Sequence, residues 1–227
     1  MTLNSIKQGI YGLYLTNYFG LKLKKVSSFL AKKNLRIAYS ESQLKALNIK
    51  VNVLNKERIP KDGQYLVICN HRGIIDPPVL EVALKDTNIF GVWVAKKELY
   101  NSPFFGLFVR NAGSLLLDRE KSQMSGFFAD AKRVVKEGSS IFIFPEGTRN
   151  KGKESLIEFK EGFRIIALKN RLPILPVFIR SHTNKALGDA LESTKNEQIL
   201  EVEFGDIIDY KERGNIQDIY RKMFKLD

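Results

Sequence analysis

The chain contains two histidines, and one of them is the stronger candidate for a general base. His71 lies two residues after Tyr65–Cys69, an apolar run that predicts a buried strand, and Asp76 lies five residues further on. Open α/β sheets place their active sites in the loops that leave the carboxyl ends of strands. If residues 71–76 form a compact turn, which Gly73 would permit, the Asp76 carboxylate can accept the Nδ1–H of His71 and stabilise its imidazolium form.

The same segment also has purely structural explanations. Asp76 precedes Pro77, which is the pattern of a helix N-cap followed by proline at the first helical position. The two roles are compatible, and spacing does not choose between them. Cys69, next to the histidine, is either a nucleophile or, as favoured here, a small apolar residue that closes the strand. The second histidine, His182, is expected in a solvated loop.

A second cluster, Phe144–Asn150, follows another strand-like run. Backbone N–H groups near Gly147, the hydroxyl of Thr148 and the forked guanidinium of Arg149 suit a tetrahedral anion. Glu146 would repel a phosphate, so it is expected to bind a hydroxyl or to orient the arginine. The alternative is that this segment is an ordinary turn, since its residue types are typical of turns.

A third cluster begins at Gly113 and ends at Arg119, directly after a short apolar run. Two arginines at two strand ends, Arg119 and Arg149, would hold a doubly charged phosphate better than one. Asp118 and Arg119 could instead form a surface ion pair. The sequence therefore predicts a base and an anion site at neighbouring strand ends.

In this order, the three clusters resemble the conserved blocks of the glycerolipid acyltransferase family, most closely those of bacterial 1-acylglycerol-3-phosphate acyltransferases. The first block reads N-H-x-x-x-x-D, the second G-x-x-x-x-x-R and the third F-P-E-G-T-R, while the fourth is a strand that contains proline. They are matched by Asn70–Asp76, Gly113–Arg119, Phe144–Arg149 and, more loosely, Leu172–Val177. The resemblance covers roughly residues 49–180.

The resemblance implies a reaction. His71 would act as general base on the free hydroxyl of a lysophosphatidate, and the oxygen would attack the thioester of acyl-CoA or acyl-carrier protein to give phosphatidic acid. Asp76 would orient the histidine. No cofactor or metal ion is required. The implied fold is that of the glycerol-3-phosphate acyltransferases, a mixed sheet flanked by helices.

The resemblance also assigns the acceptor to a set of polar residues around the strand ends, namely Lys97, Arg119, Glu146, Gly147, Thr148 and Arg149. The two arginines would hold the acceptor phosphate. Two departures from the family pattern, Asn150 in place of a frequent serine and the pair Pro77–Pro78, put the choice of acceptor in doubt. Glycerol 3-phosphate or another lyso-lipid is the alternative acceptor.

The rest of the chain alternates between strand-like and helix-like segments, which predicts one α/β domain over residues 46–227. The predicted strands are Ile49–Leu54, Tyr65–Cys69, Phe90–Val94, Ser114–Leu117, Ile141–Phe144, Ile174–Ile179 and Ile199–Phe204. The predicted helices cover residues 78–86, 121–137 and 160–170 and Ile216–Phe224. A single cysteine excludes a disulfide framework, and two histidines argue against a multi-histidine metal centre.

The formal net charge of +12 is concentrated near the N-terminus, where residues 1–50 carry nine basic side chains and one acidic side chain. Apolar residues recur there at helical spacing, which predicts a pair of amphipathic helices over residues 1–45 that is broken near Gly20. The longest charge-free run, Gln8–Leu21, has 14 residues. A membrane-spanning helix needs about 20 mostly apolar residues, so no spanning helix is predicted.

Tyrosine and phenylalanine beside lysine are typical of helices that lie in a membrane interface. The segment is therefore predicted to bind an anionic membrane surface, at the cytoplasmic face of the cell membrane, as a peripheral or monotopic protein. In the alternative, the helices pack on the domain and their lysines are solvated. A further alternative is a non-catalytic basic protein that binds membranes or nucleic acid, although no nucleic-acid-binding motif is present.

Overall fold

A computed structural model of the chain describes residues 2–118 and 124–226. Its strands are β1 (Ile49–Leu54), β2 (Leu66–Cys69), β3 (Gly91–Lys96), β4 (Leu115–Leu117), β5 (Ser140–Ile143), β6 (Ile174–Ile179) and β7 (Gln198–Phe204). Its α-helices are α1 (Leu3–Lys24), α2 (Phe29–Ala46), α3 (Asp76–Ala83), α4 (Gly106–Ala112), α5 (Ser125–Lys136), α6 (Gly162–Asn170), α7 (Thr183–Glu192) and α8 (Ile216–Phe224).

The strands form one sheet in the order β1-β7-β6-β2-β5-β3-β4. The pairing of β6 with β7 is antiparallel and every other pairing is parallel, so the predicted mixed α/β sheet flanked by helices is confirmed. The central strands β2 and β6 are apolar and buried along their whole length, because helices cover both faces of the sheet. The carboxyl end of β2, which leads to His71, therefore lies in the middle of the sheet.

The sheet separates at its β4 edge. Strand β3 pairs with β5 over Gly91–Trp93 and then with β4 over Val94–Lys96. Beyond Trp93 the ladder between β3 and β5 ends, although β3 continues. A gap between β3 and β5 therefore opens at the carboxyl ends of the strands, where His71 also lies.

Helix α1 corrects one prediction about the N-terminal segment. The helix runs without interruption through Gly20, and the chain breaks at residues 25–28 instead, where the Ser28 hydroxyl accepts a hydrogen bond from the Ala31 N–H, 3.2 Å away. A Cβ atom at residue 20 would lie 3.0 Å from Leu107 Cγ and from the Phe108 nitrogen. Gly20 therefore allows α1 to pack closely on α4 and does not end the helix.

The two N-terminal helices relate differently to the sheet domain. Helix α2 packs on α3, where the buried Arg36 guanidinium meets the Glu81 carboxylate with an Nε to Oε1 distance of 2.8 Å. Helix α1 packs on α4 and α2 along one side only. Its other side leaves apolar side chains exposed, namely Leu3, Ile6, Ile10, Tyr11, Leu13, Tyr14, Tyr18 and Leu21. Within residues 2–118 and 124–226, no helix has the length and apolar character that crossing a bilayer requires.

Helices α4 and α7 were not predicted. Both are short, and α7 mixes apolar with charged residues and contains Gly188. Helix α7 begins directly after His182, which is exposed as expected but stands at a helix start instead of within a loop. The first residue of this helix, Thr183, brings its hydroxyl group to the Asp76 carboxylate near the end of β2.

Candidate active site

His71 and Asp76 meet in a compact turn between β2 and α3, which is the condition that the sequence set for their contact. Nδ1 of His71 lies 2.7 Å from Oδ2 of Asp76. The same carboxylate oxygen accepts hydrogen bonds from the backbone N–H groups of Arg72, at 2.7 Å, and Gly73, at 2.8 Å. Because a carboxylate oxygen accepts, the network assigns the proton of the neutral imidazole to Nδ1. Nε2 then carries the lone pair that can take a proton.

The helix-cap explanation of Asp76 is wrong. Asp76 is the first residue of α3, but its buried carboxylate turns back to the preceding turn, and no side chain caps this helix. The reason for Gly73 is also different from the predicted one. A Cβ atom there would lie 2.7 Å from Oγ1 of Thr183, so the glycine is required by the close approach of α7.

Asn70 fixes the end of β2 to the neighbouring strand β6. Its side-chain Nδ2 donates to the Ile179 carbonyl, 3.0 Å away, and its Oδ1 accepts from the Ile179 N–H, 2.8 Å away. An amide side chain thus makes the pair of bonds that a backbone residue makes in a ladder. The direction in which the chain leaves the sheet toward His71 is therefore fixed.

An aromatic stack holds the His71 ring from one side. The His71 and Phe144 rings are nearly parallel, with an interplanar angle of 8° and centroids 3.9 Å apart. Phe144 in turn stacks on Trp93, with centroids 5.1 Å apart, and Trp93 Nε1 donates to Glu81 Oε1 at 2.9 Å. Together with the Asp76 contact, the stack sets both the position and the plane of the imidazole.

Glu146 connects the loops of the site and does not line the cavity beside His71 that is described below. It is 1% exposed, and its Oε1 accepts from the His71 N–H at 2.8 Å while its Oε2 accepts from the Ile157 N–H at 3.1 Å. Burial raises the pKa of this carboxyl to about 7, although the two backbone hydrogen bonds and the nearby Arg72 guanidinium oppose the shift. Glu146 therefore ties the loops after β2 and β5 together, and its part in acceptor binding stays a prediction.

Replacing Glu146 with glutamine should flatten the pH dependence of folding stability. In the folded protein this carboxyl holds its proton up to about pH 7, whereas an unfolded glutamate loses it near pH 4.5. The folded state therefore binds more protons in this window, and its free energy of unfolding falls as the pH rises through it, by about 3 kcal/mol for a shift of this size. Urea unfolding at pH 5, 6 and 7 measures this fall, and an equal slope in the glutamine variant would contradict the assignment.

The third cluster can be located only in part. Arg119 lies outside the described residues. Lys97 lies in a short 3₁₀ helix, Lys97–Asn101, and its Nζ is 2.9 Å from Oδ2 of Asp118. Its neighbour Lys96 lines the cavity described next, whereas Lys97 does not. The involvement of Arg119 and of Lys97 in acceptor binding stays a prediction.

A cavity of about 560 Å³ opens beside His71. Gly147, Thr148 and Arg149 line it, and the side chains of Thr148 and Arg149 are exposed to solvent. The N–H of Gly147 is used inside the turn, where it donates to the Phe144 carbonyl at 2.9 Å. Among the described residues, the backbone N–H groups of Thr148 and Arg149 have no acceptor, and they can donate to an anion together with the guanidinium.

The interior of the cavity is mainly apolar and reaches both faces of the sheet. Trp93 and Phe144 line it on the face that α3 covers, and Val94 and Ile143 line it on the face that α5 and α6 cover. It therefore passes through the gap where β3 leaves β5. A space of this size and polarity suits an alkyl chain.

Two further residues are structural. Cys69 is fully buried, and desolvation followed by the nearby Asp76 and Glu146 carboxylates raises the pKa of its thiol well above the usual range, which supports the apolar explanation. Arg72 holds the loop after β5 through the carbonyls of Glu154 and Ser155, at 2.9 and 3.2 Å. In the described part of the chain, no three metal-ligating side chains cluster.

The chain is similar to known proteins in sequence and in fold. A family model described as "Acyltransferase" matches residues 50–180. Over 118 residues the chain is 39% identical to a 1-acyl-sn-glycerol-3-phosphate acyltransferase of Helicobacter pylori, covering 52% of this chain and 48% of that protein. Over 126 residues it is 32% identical to the Bacillus subtilis protein of the same name, covering 56% and 60%. The chain thus spans about half the length of the curated relatives that it matches.

A solved structure resembles the whole described chain. The crystal structure of the 1-acyl-sn-glycerophosphate (LPA) acyltransferase, PlsC, from Thermotoga maritima superposes with a TM-score of 0.64 at 22% identity. The superposition covers 96% of this chain and 93% of that one. The likeness extends to the N-terminal helices and establishes the fold.

Proposed function

The chain belongs to the acyltransferase family, and from this premise we propose that it transfers an acyl group from a thioester donor to the free hydroxyl of a 1-acyl-sn-glycerol 3-phosphate. The observation that carries the proposal is the His71–Asp76 pair, whose Nδ1 to Oδ2 distance is 2.7 Å, at the mouth of an apolar cavity beside an exposed arginine. The two relatives described above are both named 1-acyl-sn-glycerol-3-phosphate acyltransferase, which supports the proposal.

In the proposed reaction, Nε2 of His71 removes the proton of the acceptor hydroxyl while the oxygen attacks the thioester carbonyl carbon. The tetrahedral adduct then collapses, the carbon–sulfur bond breaks, and the leaving thiolate takes the proton from the imidazolium. Asp76 stabilises the positive charge on His71 between these two steps. A positioned general base of this kind contributes about 10²- to 10⁴-fold in rate.

Arg149 is proposed to hold the acceptor phosphate. Its guanidinium is exposed at the cavity mouth, and the backbone amides at residues 148 and 149 face no other acceptor in the described residues. Charge-assisted contacts of this kind fix an anion in orientation as well as in place. A phosphate held there keeps the acceptor hydroxyl within reach of His71. Arg119, the predicted second arginine, belongs to the same proposal.

The cavity is proposed to take the alkyl chain of the acyl donor, through the gap between β3 and β5. Replacing Ile143 with tryptophan would fill the part of the gap that leads toward α5 and α6. The preference among donors should then shift to acyl chains several carbons shorter, because the longer chains lose their space. Competition between acyl-CoA donors of different chain length measures the shift. An unchanged chain-length profile in a folded variant would rule out this path for the chain.

Helix α1 is proposed to lie on an anionic membrane surface at the cytoplasmic face of the cell membrane. Its exposed side combines apolar residues with a Tyr14–Tyr18 ring stack, whose centroids are 5.9 Å apart, and with Lys22, whose Nζ lies 4.6 Å above the Tyr18 ring. Aromatic rings and lysines together favour the interface between headgroups and acyl chains. The acceptor lipid would be drawn from the same surface.

Replacing Ile10 with glutamate should weaken binding to anionic vesicles by at least about tenfold, because it places a charge in the apolar side of α1 and loses roughly 1.5–3 kcal/mol of apolar burial. Ile10 is 66% exposed and Ile199, on β7, is 60% exposed, so Ile199→Glu is a matched control. Sedimentation with vesicles of phosphatidylglycerol and phosphatidylcholine measures both. Equal loss in the two variants would point to a general charge effect and against α1.

The assay that tests the proposed function combines donors and acceptors on the purified protein. Acyl-CoA and acyl-carrier protein are each offered with lysophosphatidate, glycerol 3-phosphate and a lyso-lipid that lacks a phosphate monoester. Formation of phosphatidic acid from lysophosphatidate, faster than any other product, is the expected result. Binding of nucleic acid without acyl transfer would favour the non-catalytic alternative.

A further inference from the structure

We propose that Thr183 is a positioning residue for the His71–Asp76 pair. The inference rests on the proposed function, since it concerns how the general base of that reaction is held. Thr183 is the first residue of α7 and lies outside residues 50–180, which the family model matches. It is also distant from Asp76 in sequence, 107 positions further along the chain.

The contact is direct and buried. The Thr183 hydroxyl donates to Oδ1 of Asp76 at 2.5 Å, and Thr183 and Asp76 are 0% and 1% exposed. The carboxylate therefore uses its two oxygens differently. Oδ2 accepts from the His71 ring and from two backbone amides of the same turn, whereas Oδ1 accepts from a different element.

This difference gives Thr183 a distinct role. The donors to Oδ2 all belong to residues 71–73 and would move together with that turn. Thr183 is the one donor to the carboxylate, among the described residues, that comes from another secondary-structure element. It therefore fixes the carboxylate relative to the body of the domain, and the imidazole through it.

The packing around the hydroxyl is consistent with this role. A Cβ atom at Gly73 would lie 2.7 Å from Thr183 Oγ1 and 3.1 Å from the Asn184 nitrogen. A side chain at position 73 would therefore push α7 away from the turn. The absence of a side chain there brings the hydroxyl within reach of Asp76, although nothing in the N-H-x-x-x-x-D pattern calls for a glycine at that position.

The hydroxyl also affects the charge that the histidine experiences. A donor on Oδ1 withdraws negative charge from the carboxylate, and this limits how strongly Asp76 favours the protonated imidazole. Without the donor, Oδ2 stays bound to the turn but carries more charge. His71 should then hold its proton to higher pH and be less available as a base near neutrality. The other groups near the pair are Glu146, the buried thiol of Cys69 and Arg72, whose guanidinium lies 3.0 Å from Nδ1 of His182, and a Thr183 variant replaces none of them.

The test compares Thr183→Val, which keeps the shape but loses the hydroxyl, with Thr183→Ser, which keeps the hydroxyl. Thr87→Val is the control, because this half-buried threonine also loses its hydroxyl contacts, to the Leu84 carbonyl at 2.8 Å and from the Ile89 N–H at 3.2 Å, but precedes the start of β3 and does not line the cavity. The pH titration of the imidazole signals is followed by NMR in the full-length protein. The chain has only two histidines, so His182→Gln assigns both signals. The same variants are assayed for acyl transfer from pH 5.5 to 9.

In Thr183→Val we expect the His71 titration and the acid limb of the pH–rate profile to move together to higher pH. The rate at pH 7 should fall by roughly tenfold, the usual effect of losing a hydrogen bond to a charged group. Thr183→Ser should restore both properties, and Thr87→Val should change neither. Thr183→Ala serves as the second variant if valine prevents folding.

An unmoved His71 titration in a folded valine or alanine variant would overturn the inference, even if the rate falls, because a lower rate alone is what local loosening of α7 gives. Failure of the proposed function is recognised separately. In that case the wild-type protein transfers no acyl group to any acceptor, while the NMR titration still reports whether the Thr183 hydroxyl acts on His71.

Discussion

Replacing His71 with glutamine should reduce acyl transfer from either thioester donor by about 10³-fold, within the range expected for loss of a positioned general base. Glutamine can keep a contact with Asp76 through its amide but cannot accept and return a proton near neutral pH. The loss should appear in kcat, since the base acts in the chemical step and the phosphate contact at Arg149 is untouched. Single-turnover measurements with acyl-CoA and lysophosphatidate separate this loss from any change in binding.

The second histidine provides the control. His182→Gln makes the same chemical change at an exposed position at the start of α7. It alters the contact of Nδ1 with the Arg72 guanidinium, 3.0 Å away, but removes no contact with Asp76, and we expect it to retain most of the activity. A His71→Gln variant that is folded and transfers acyl groups at the wild-type rate would exclude His71 as the base. Equal losses in both variants would indicate a structural effect of histidine replacement. The structure predicts a large difference between them, because only the His71 ring lines the cavity.

The part of the candidate site that the sequence described best is the short segment that contains both His71 and Asp76. His71 and Asp76 are five residues apart, so the sequence allowed their contact if the loop formed a compact turn, and the structure shows that turn. The strands were also predictable, and most clearly β2, β5 and β6, because these three are largely buried and consist almost entirely of apolar residues. Strand order and the one antiparallel pairing, by contrast, depend on contacts between distant segments.

Glu146 shows what the sequence could not reveal. A glutamate inside an anion-binding turn was expected to face the ligand or an arginine. The structure directs it inward, to the amides of His71 and Ile157, and these come from segments 75 and 11 positions away along the chain. No local pattern distinguishes a carboxylate that faces solvent from one that ties two loops together. Thr183 was missed for the same reason, since its partner Asp76 lies far away in the sequence.

Gly20 shows how a correct residue preference can predict the wrong structure. Glycine disfavours helix by about 1 kcal/mol relative to alanine, so a break was expected at this position. In the structure α1 gains more from packing on α4 than it loses at one residue, and the glycine lets the two backbones approach. Tertiary contact therefore outweighs local propensity here, as it does at most interior helix positions.

Replacing Arg149 with glutamine should raise KM for lysophosphatidate by about 10- to 100-fold, because a charge-assisted contact to an anion contributes about 1.5–3 kcal/mol. Glutamine retains hydrogen-bonding capacity and most of the length but loses the charge and the fork. The control is Arg213→Gln, which removes the same charge from an exposed arginine that does not line the cavity beside His71. Initial rates at varied acceptor concentration, at fixed saturating donor, measure both variants.

Comparing several acceptors tests whether Arg149 binds the phosphate itself, which a loss of activity with one acceptor would not show. If the guanidinium holds a phosphate, the penalty should apply to lysophosphatidate and to glycerol 3-phosphate but not to a lyso-lipid without a phosphate monoester. The discrimination between acceptors with and without a phosphate monoester should therefore collapse in Arg149→Gln, while kcat with the acceptor that lacks the monoester stays the same. A uniform loss with all acceptors would instead assign Arg149 to the structure of its turn or to the donor. Retention of full discrimination would place the phosphate elsewhere at the cavity mouth, with Arg119 as the next residue to replace.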